Sequence, residues 1–307
     1  MNKDLINSIL DHYQFGNLSD YELMGRGFAN QNFRLDTDKG IFLLRNCLEQ
    51  SRESIIQEMR LMERLRLAAF PTAFPVERKD GGFLTELPEG RFVFYDFILG
   101  EIPQLNIQTV AEIASVVARL NSLDGFEDIT KKNSINLEAS FNLIDSEAFK
   151  KYPFHDITGD FENYANELKQ SLNKSLPTGL IHGDVFPDNT FFKDNKLVAI
   201  IDFEEFAIDT LLFDVGMTIH GFCYINNHLD PVLFETFLEN YQKERKLSIE
   251  ERESLPVYIK WTALGMAYWH LNKLVQKDNL QQRERVQELL ERVRNANSEL
   301  SRFNNVF

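Results

Sequence analysis

The hydrophobic pattern of this chain changes character about a third of the way along, and that change limits the folds open to it. Up to about residue 97 the apolar runs are short and strand-like: Tyr21–Met24, Asn32–Asp36 and Ile41–Arg45. Turn-forming stretches at Gly25–Gly27 and Thr37–Gly40 separate them. A helix near Asp4–Tyr13 precedes these runs. A second spans Arg52–Leu67, where Ile55, Ile56, Met59, Met62 and Leu65 recur at helical spacing. The stretch FPTAFPVERKDGGFLTELPEGRFVFYDFILG returns to strands, because its prolines and glycines interrupt helices. From about Gln108 the helical period takes over. It marks Val110–Leu120, Glu138–Phe149, Phe161–Leu172, Leu233–Gln242, Ser254–Lys273 and Gln281–Leu300, and also a helix Thr210–Tyr224 that Asp209 is placed to cap. One hairpin stands among them: Thr190–Lys193, a turn at Asp194–Asn195, then Leu197–Asp202. Strands followed by helices describe an α+β chain. We expect a small β-rich N-terminal lobe over residues 1–97 and a larger helical lobe over 98–307, with a small-molecule site in a cleft between them.

The 307 residues can build a sizeable core, and 43% hydrophobic with 26% charged is an ordinary globular balance. The net charge of −14 argues against a nucleic-acid binder, which needs a basic face. It leaves nucleotides open, since a divalent cation reverses the sign locally. Cys47 and Cys223 form neither a disulfide framework nor a metal-binding spacing. The N-terminal MNKDLINSILDHYQFG lacks the apolar segment of a signal peptide, and no apolar run is long enough to cross a bilayer. The expectation is a cytoplasmic monomer or weak homo-oligomer with no membrane or nucleic-acid partner.

Chemistry concentrates in HGDVFPDN at His182–Asn189 and AIIDFEEF at Ala199–Phe206. If the hairpin folds back, Asp202 returns beside the loop that carries Asp184 and Asn189. Mg²⁺ takes hard oxygen ligands, and Asp202 with Asn189 suits it. Asp184 then stands apart to accept the proton of an attacking hydroxyl. Phosphoryl transfer uses this division of labour, and it also needs a glycine-containing turn and a strand cation from the small lobe. Gly25-Arg26-Gly27-Phe28-Ala29-Asn30 lies between two strands, Arg45 ends IFLLR, and Glu58 on the following helix is a partner for Arg45. These elements occur in the required order.

The pattern resembles the aminoglycoside phosphotransferase and choline kinase superfamily, of protein-kinase-like two-lobed fold. Within it, GFANQNFRLDTDKGIFLL, LIHGDVFPDNTFF and IIDFEEFAIDTLLFDVGMTI are similar to the bacterial homoserine kinases of this fold. The resemblance implies an ATP- and Mg²⁺-dependent kinase of a small-molecule alcohol. It makes Asp184 catalytic, and Asn189 and Asp202 metal ligands. Arg26, Gly27, Phe28, Asn30, Arg45, Glu58, Tyr95 and Phe97 form the nucleotide site. His182 shapes the loop, and Asp214 supports it through backbone N–H groups. Three features depart from the pattern. Arg45 stands where most kinases have Lys, as in choline kinases. Glu204 stands where homoserine kinases usually carry an aromatic residue. The glycine-rich turn has two glycines.

Other residues support two readings each. Glu204, Glu205 and Asp209 attract a substrate amine, help the metal or stabilise the start of a helix, and Glu205 and Asp209 are the candidates for the amine. Phe222, Tyr224, Trp261, Tyr268 and Trp269 either line a pocket, even a cage for a quaternary ammonium, or belong to the core. His220, His228 and His270 lack metal-ligand spacing and read as structural. Homoserine is the first expected acceptor. Choline or ethanolamine, a sugar and an aminoglycoside are the alternatives. A nucleotide-binding pseudokinase is the reading from a different class, against which Asp184, Asn189 and Asp202 stand together. A protein kinase would need an activation segment that is missing before Thr210.

Overall fold

The computed structural model describes residues 1–26, 30–172 and 175–303, with the side chains of residues 25 and 26 outside that description. The chain divides into two compact units. The first holds Met1–Glu101, Thr190–Lys193 and Leu197–Glu204, and the second holds Ile102–Asn189, Asp194–Lys196 and Glu205–Phe307.

The first unit opens with helix α1 (Lys3–Leu10), started by Asn2, whose side chain accepts the Leu5 N–H at 2.9 Å. Strands β1 (Leu18–Arg26), β2 (Asn30–Thr37) and β3 (Gly40–Cys47) follow, then α2 (Arg52–Leu67), β4 (Leu84–Leu87) and β5 (Gly90–Asp96). They form one antiparallel sheet in the order β1-β2-β3-β5-β4. Phe33, Leu35, Leu44, Phe92 and Phe94 pack with Ile6 and Ile9 of α1 as one core. Successive strand residues face opposite sides, so Arg45 points away from the side that Leu44 buries. Helix α2 buries Ile55, Met59, Met62 and Leu65, and Glu58 falls on the same stripe, 2% exposed. The hairpin of Thr190–Lys193 and Lys196–Ile200 is tied to this unit at several points. Phe192 and Glu101 exchange backbone bonds at 2.8 Å, Ile200 donates to the Pro71 carbonyl at 3.0 Å, and the Phe203 ring meets Phe70 at 6.0 Å.

The second unit is mainly helical: α3 (Ile107–Leu120), α4 (Leu137–Asp145), α5 (Glu147–Lys150), α6 (His155–Ser171), α7 (Leu211–Phe222), α8 (Pro231–Glu244), α9 (Ile249–Leu274) and α10 (Leu280–Leu300). Two short ladders pair Thr178–Ile181 with Ala207–Thr210, and Tyr224–Ile225 with His228–Leu229. The single helix expected over Glu138–Phe149 is two. Ser146 is extended, and its hydroxyl caps the second by accepting the Phe149 N–H at 3.2 Å. Asp209 does not cap α7 as expected. It lies in a strand, its carboxylate accepts the adjacent Thr210 N–H, and the N-cap is Thr210.

Helix α7 is buried from Leu211 to His220. The His220 ring sits with Nε2 2.8 Å from the Ile259 carbonyl. Burial, with the Arg292 guanidinium beside it, holds its pKa down to about 3. The folded chain keeps this imidazole neutral, whereas the unfolded chain protonates near 6.5. Its contribution to stability is complete above that value and is lost as pH falls towards the folded value. Between pH 7 and pH 5 this group should lower the unfolding free energy by about 2 kcal/mol. Urea unfolding at both pH values is expected to show a larger loss for the natural chain than for His220→Gln. Equal losses would remove His220 as the source.

Candidate active site

His182–Asn189 lies in the second unit, after the strand Thr178–Ile181. Gly183 takes φ +87°, and a Cβ there would meet the Glu205 carbonyl oxygen at 2.6 Å, so only glycine fits. The preceding and following geometry is held by Asp214 in the first turn of α7. Its carboxylate accepts the His182 N–H and the Gly183 N–H, both at 2.8 Å, and the Asn121 amide at 3.2 Å. Asp214 is fully buried. Burial pushes its carboxyl up to about 6, against those three bonds, which favour the ionised form. Asn121 is itself fixed by the Tyr241 hydroxyl at 2.9 Å. The His182 ring is buried, and its Nδ1 accepts the Asp184 N–H at 3.2 Å. Asn189 ends a short 3₁₀ turn, Pro187–Asn189, and donates to the Asp184 carboxylate at 2.9 Å and its carbonyl at 3.0 Å. Asp184 and Asn189 are therefore brought together, both half-buried.

The first unit contains a cavity of about 260 Å³. Leu43, Met62, Ala73 and Phe203 give it apolar walls, Tyr95–Gly100 passes along it, and Arg45, Glu58 and Asp202 form its polar end. The Arg45 guanidinium is 4% exposed and lies 3.3 Å from Asp202 and 3.4 Å from Glu58. It also covers the Tyr95 ring at 5.0 Å. Glu58 accepts from Gln50 at 2.8 Å and from the Tyr95 hydroxyl at 3.1 Å. Asp202 holds φ +67°, a left-handed conformation rare outside glycine. Its buried Oδ1 is the atom that meets the Arg45 guanidinium, as an ion pair without a well-aligned hydrogen bond. Glu204, half-buried, is pushed up to about 7 by burial and by Asp202, while the Asn30 amide donates to it at 2.9 Å. Among the described residues no three His, Cys, Asp or Glu side chains converge on a metal position.

These features can be set beside known proteins. The model of the phosphotransferase enzyme family matches residues 20–253. The chain belongs to that family. It is 28% identical over 258 residues to the homoserine kinase of Rhodopseudomonas palustris (strain BisA53), covering 82% of this chain and 78% of that one. A microcompartment-associated aminopropanol kinase superposes with a TM-score of 0.75 at 15% identity, covering 98% of each chain. An amicoumacin kinase in complex with AMP-PNP, Ca²⁺ and Ami does so with 0.73 at 14% identity, covering 95% of this chain and 93% of its own. The last two likenesses concern the fold, which is the expected α+β, kinase-like one. Within this small-molecule phosphotransferase no helix among the described residues is long and apolar enough to cross a membrane.

The remaining sequence candidates fall in several places. Gly27 and Phe28 lie outside the described residues, and for Arg26 only the backbone is described, opposite Gln31 at the end of β1. Tyr95 and Phe97 line the cavity. Glu205 and Asp209 belong to the second unit and are bound to one loop, with Ser134 donating to Glu205 at 2.7 Å and Asn133 to Asp209 at 2.8 Å. Phe222, Tyr224 and Trp261 are buried, while Tyr268 and Trp269 are half-buried. Gln50 and Asn121 were not anticipated. Each is a single amide whose partner lies on another element, and no local pattern marks it.

The network around Asp214 makes a direct prediction. Asp214→Ala leaves the N–H groups of His182 and Gly183 buried without acceptors, at about 1–3 kcal/mol each. We expect a lower unfolding midpoint in urea together with a fall in turnover. Unchanged stability would mean that these bonds are replaced or dispensable.

Proposed function

We propose that this phosphotransferase uses ATP with Mg²⁺ to phosphorylate the hydroxyl of L-homoserine. The arrangement that carries the reading is buried Arg45 held by Glu58 and Asp202 at the polar end of the cavity. Such a guanidinium suits phosphate oxygens, which it meets as a rigid fork. The homoserine acceptor rests on the curated relative named above.

Residues 1–97 serve as the nucleotide-binding lobe and 98–307 as the catalytic and substrate-binding lobe. Tyr95 and Phe97 border the base, and Arg26, Gly27, Phe28 and Asn30 border the phosphates. Asp202 and Asn189 suit a hard cation by donor type: Asp202 brings a carboxylate whose buried Oδ1 has no well-aligned hydrogen bond beside its 3.3 Å ion pair with Arg45, and Asn189 offers an amide oxygen. Mg²⁺, when bound, supplies charge neutralisation for the phosphates. Asp184 accepts the proton of the acceptor hydroxyl, and Asn189 holds its carboxylate through the 2.9 Å bond. His182 and Asp214 keep the loop in shape, and Glu58, steadied by Gln50, orients Arg45. Glu205 or Asp209 receives the amine. The chain works in the cytoplasm as a monomer or weak homo-oligomer, a setting suited to two buried, free cysteines.

ADP release measured over homoserine, 3-aminopropan-1-ol, choline, ethanolamine, a hexose and an aminoglycoside tests the acceptor. Homoserine should show the highest kcat/KM. Turnover of choline or the aminoglycoside alone would replace the acceptor and keep the kinase. Asp184→Asn should lower kcat by about 10²–10⁴-fold with the KM for ATP little changed. An unaltered kcat would remove Asp184 from the chemistry.

A further inference from the structure

Arg245, at the C-terminal end of α8, has two edges with different partners. Its Nη2 donates to Glu251 Oε1 at 2.7 Å. Glu251 is 2% exposed, and its other oxygen accepts the Ser248 N–H at 2.9 Å, which closes the capping box of α9. The inner edge turns to α8 itself, where Nη1 donates to the Tyr241 hydroxyl at 3.3 Å. Tyr241 lies one turn back and is fully buried, and its hydroxyl donates to Asn121 Oδ1 at 2.9 Å. Asn121, at the end of α3, directs its amide N–H groups to the Leu180 carbonyl at 3.3 Å and to Asp214 at 3.2 Å. Asp214 then receives His182 and Gly183. An unbroken chain of hydrogen bonds runs from the start of α9 to the residue before Asp184, all within the second unit.

The direction of this chain is fixed at its two ends. A guanidinium only donates and an ionised carboxylate only accepts. A hydroxyl that accepts from Arg245 offers its own proton to Asn121. Asn121 must then present its oxygen to Tyr241 and its NH₂ to Leu180 and Asp214. The reversed direction, with the Asn121 amide turned over, brings the amide oxygen against Asp214 and is satisfied only when Asp214 carries a proton. Burial already pushes the Asp214 carboxyl up to about 6, so the donor at the far end weighs on which form the loop meets.

We propose that Arg245, acting through Tyr241 and Asn121, is a positioning residue for Asp184: it sets the direction of the chain that keeps Asp214 an acceptor for the His182 and Gly183 N–H groups. This rests on the reading of Asp184 as the base. The groups that act on Asp214 from the elements around it are Asp209 in the preceding strand and Tyr241 of α8, with Arg245 and Glu251 behind. The His182 ring and Tyr258 of α9, which donates to Thr210 at 3.3 Å, belong to neighbouring positions.

The test uses Tyr241→Phe, which breaks the chain without changing any charge, and Arg245→Met. Tyr241→Phe remains informative if Arg245→Met, which leaves Glu251 buried without its cation, folds poorly. Hydrogen–deuterium exchange of the substrate-free protein reads the loop, and kcat against pH reads its effect on turnover. We expect faster exchange over residues 182–189 in both variants. At pH 7 kcat should fall about 3–10-fold, the weight of one lost hydrogen bond, with the KM for ATP little changed. The acid limb of kcat should move to higher pH, because the Asn121 bond favours ionised Asp214. Faster exchange confined to α8 and α9, with the loop unchanged, would assign the pair to packing and overturn the proposal. So would a natural kcat with an unmoved acid limb. A preferred acceptor other than homoserine replaces that alcohol in the assay and leaves this inference standing. If no alcohol is phosphorylated, the kinase reading falls, and loop exchange alone decides whether Arg245 holds the loop.

Discussion

The buried carboxylate of Asp214 fixes the geometry at the start of the His182–Asn189 loop. A buried charge is tolerated only where donors surround it, and here they come from three places: the His182 and Gly183 amides and the Asn121 side chain. Satisfying Asp214 therefore joins α7 to the His182–Asn189 loop and to the end of α3, and through Tyr241 to α8. Once two consecutive N–H groups point at one carboxylate, the backbone between them has little freedom. Gly183 turns through positive φ, and His182 Nδ1 receives the Asp184 N–H. The Asp184 carboxylate is thus placed by backbone geometry together with the Asn189 amide at 2.9 Å.

A different balance governs the first unit. Arg45 is opposed by Asp202 and Glu58 together, with Glu204 close enough for Asp202 to help raise its pKa. Negative groups outnumber the guanidinium, and the strained φ of Asp202 keeps its carboxylate in that company. Such crowding weakens the resting protein, since like charges in a poorly solvated place repel. It becomes an advantage where a divalent cation and phosphates complete the set, which is the role proposed for this end of the cavity.

Much of this was legible in the sequence because it is written at short range. The strands β2 and β3 follow from alternation and from the Thr37–Gly40 turn, and α2 follows from its apolar stripe. Asp184 and Asn189 fall five residues apart in one loop, and Asp202 closes the hairpin that follows. What was missed depends on distant partners. The ladder between Thr178–Ile181 and Ala207–Thr210 joins two four-residue strands, too short to show a period. Asp209 looked like a helix cap because the residues after it are helical, but strand pairing and Asn133 claim it. The break at Ser146 has neither glycine nor proline to announce it. Gln50 and Asn121 matter through Glu58 and Asp214, and only the folded chain shows that.

Arg45 and Arg292 are the buried arginines among the described residues, and their surroundings differ in one respect. Arg45 has two carboxylates within 3.4 Å, and the half-buried Arg245 has Glu251 at 2.7 Å. Arg292 has an amide oxygen, a carbonyl and a neutral imidazole. Hydrogen bonding alone does not require a charge there. An amide side chain would serve Asn227 and the His220 carbonyl without the desolvation that a guanidinium incurs. Glu288 pairs with Arg285 and Glu299 lies 3.2 Å from the His228 ring, yet both carboxylates still act on Arg292 from beyond contact distance. The charge is tolerated because the guanidinium keeps polar contacts to Asn227 and His220 and the longer-range attraction of these two carboxylates.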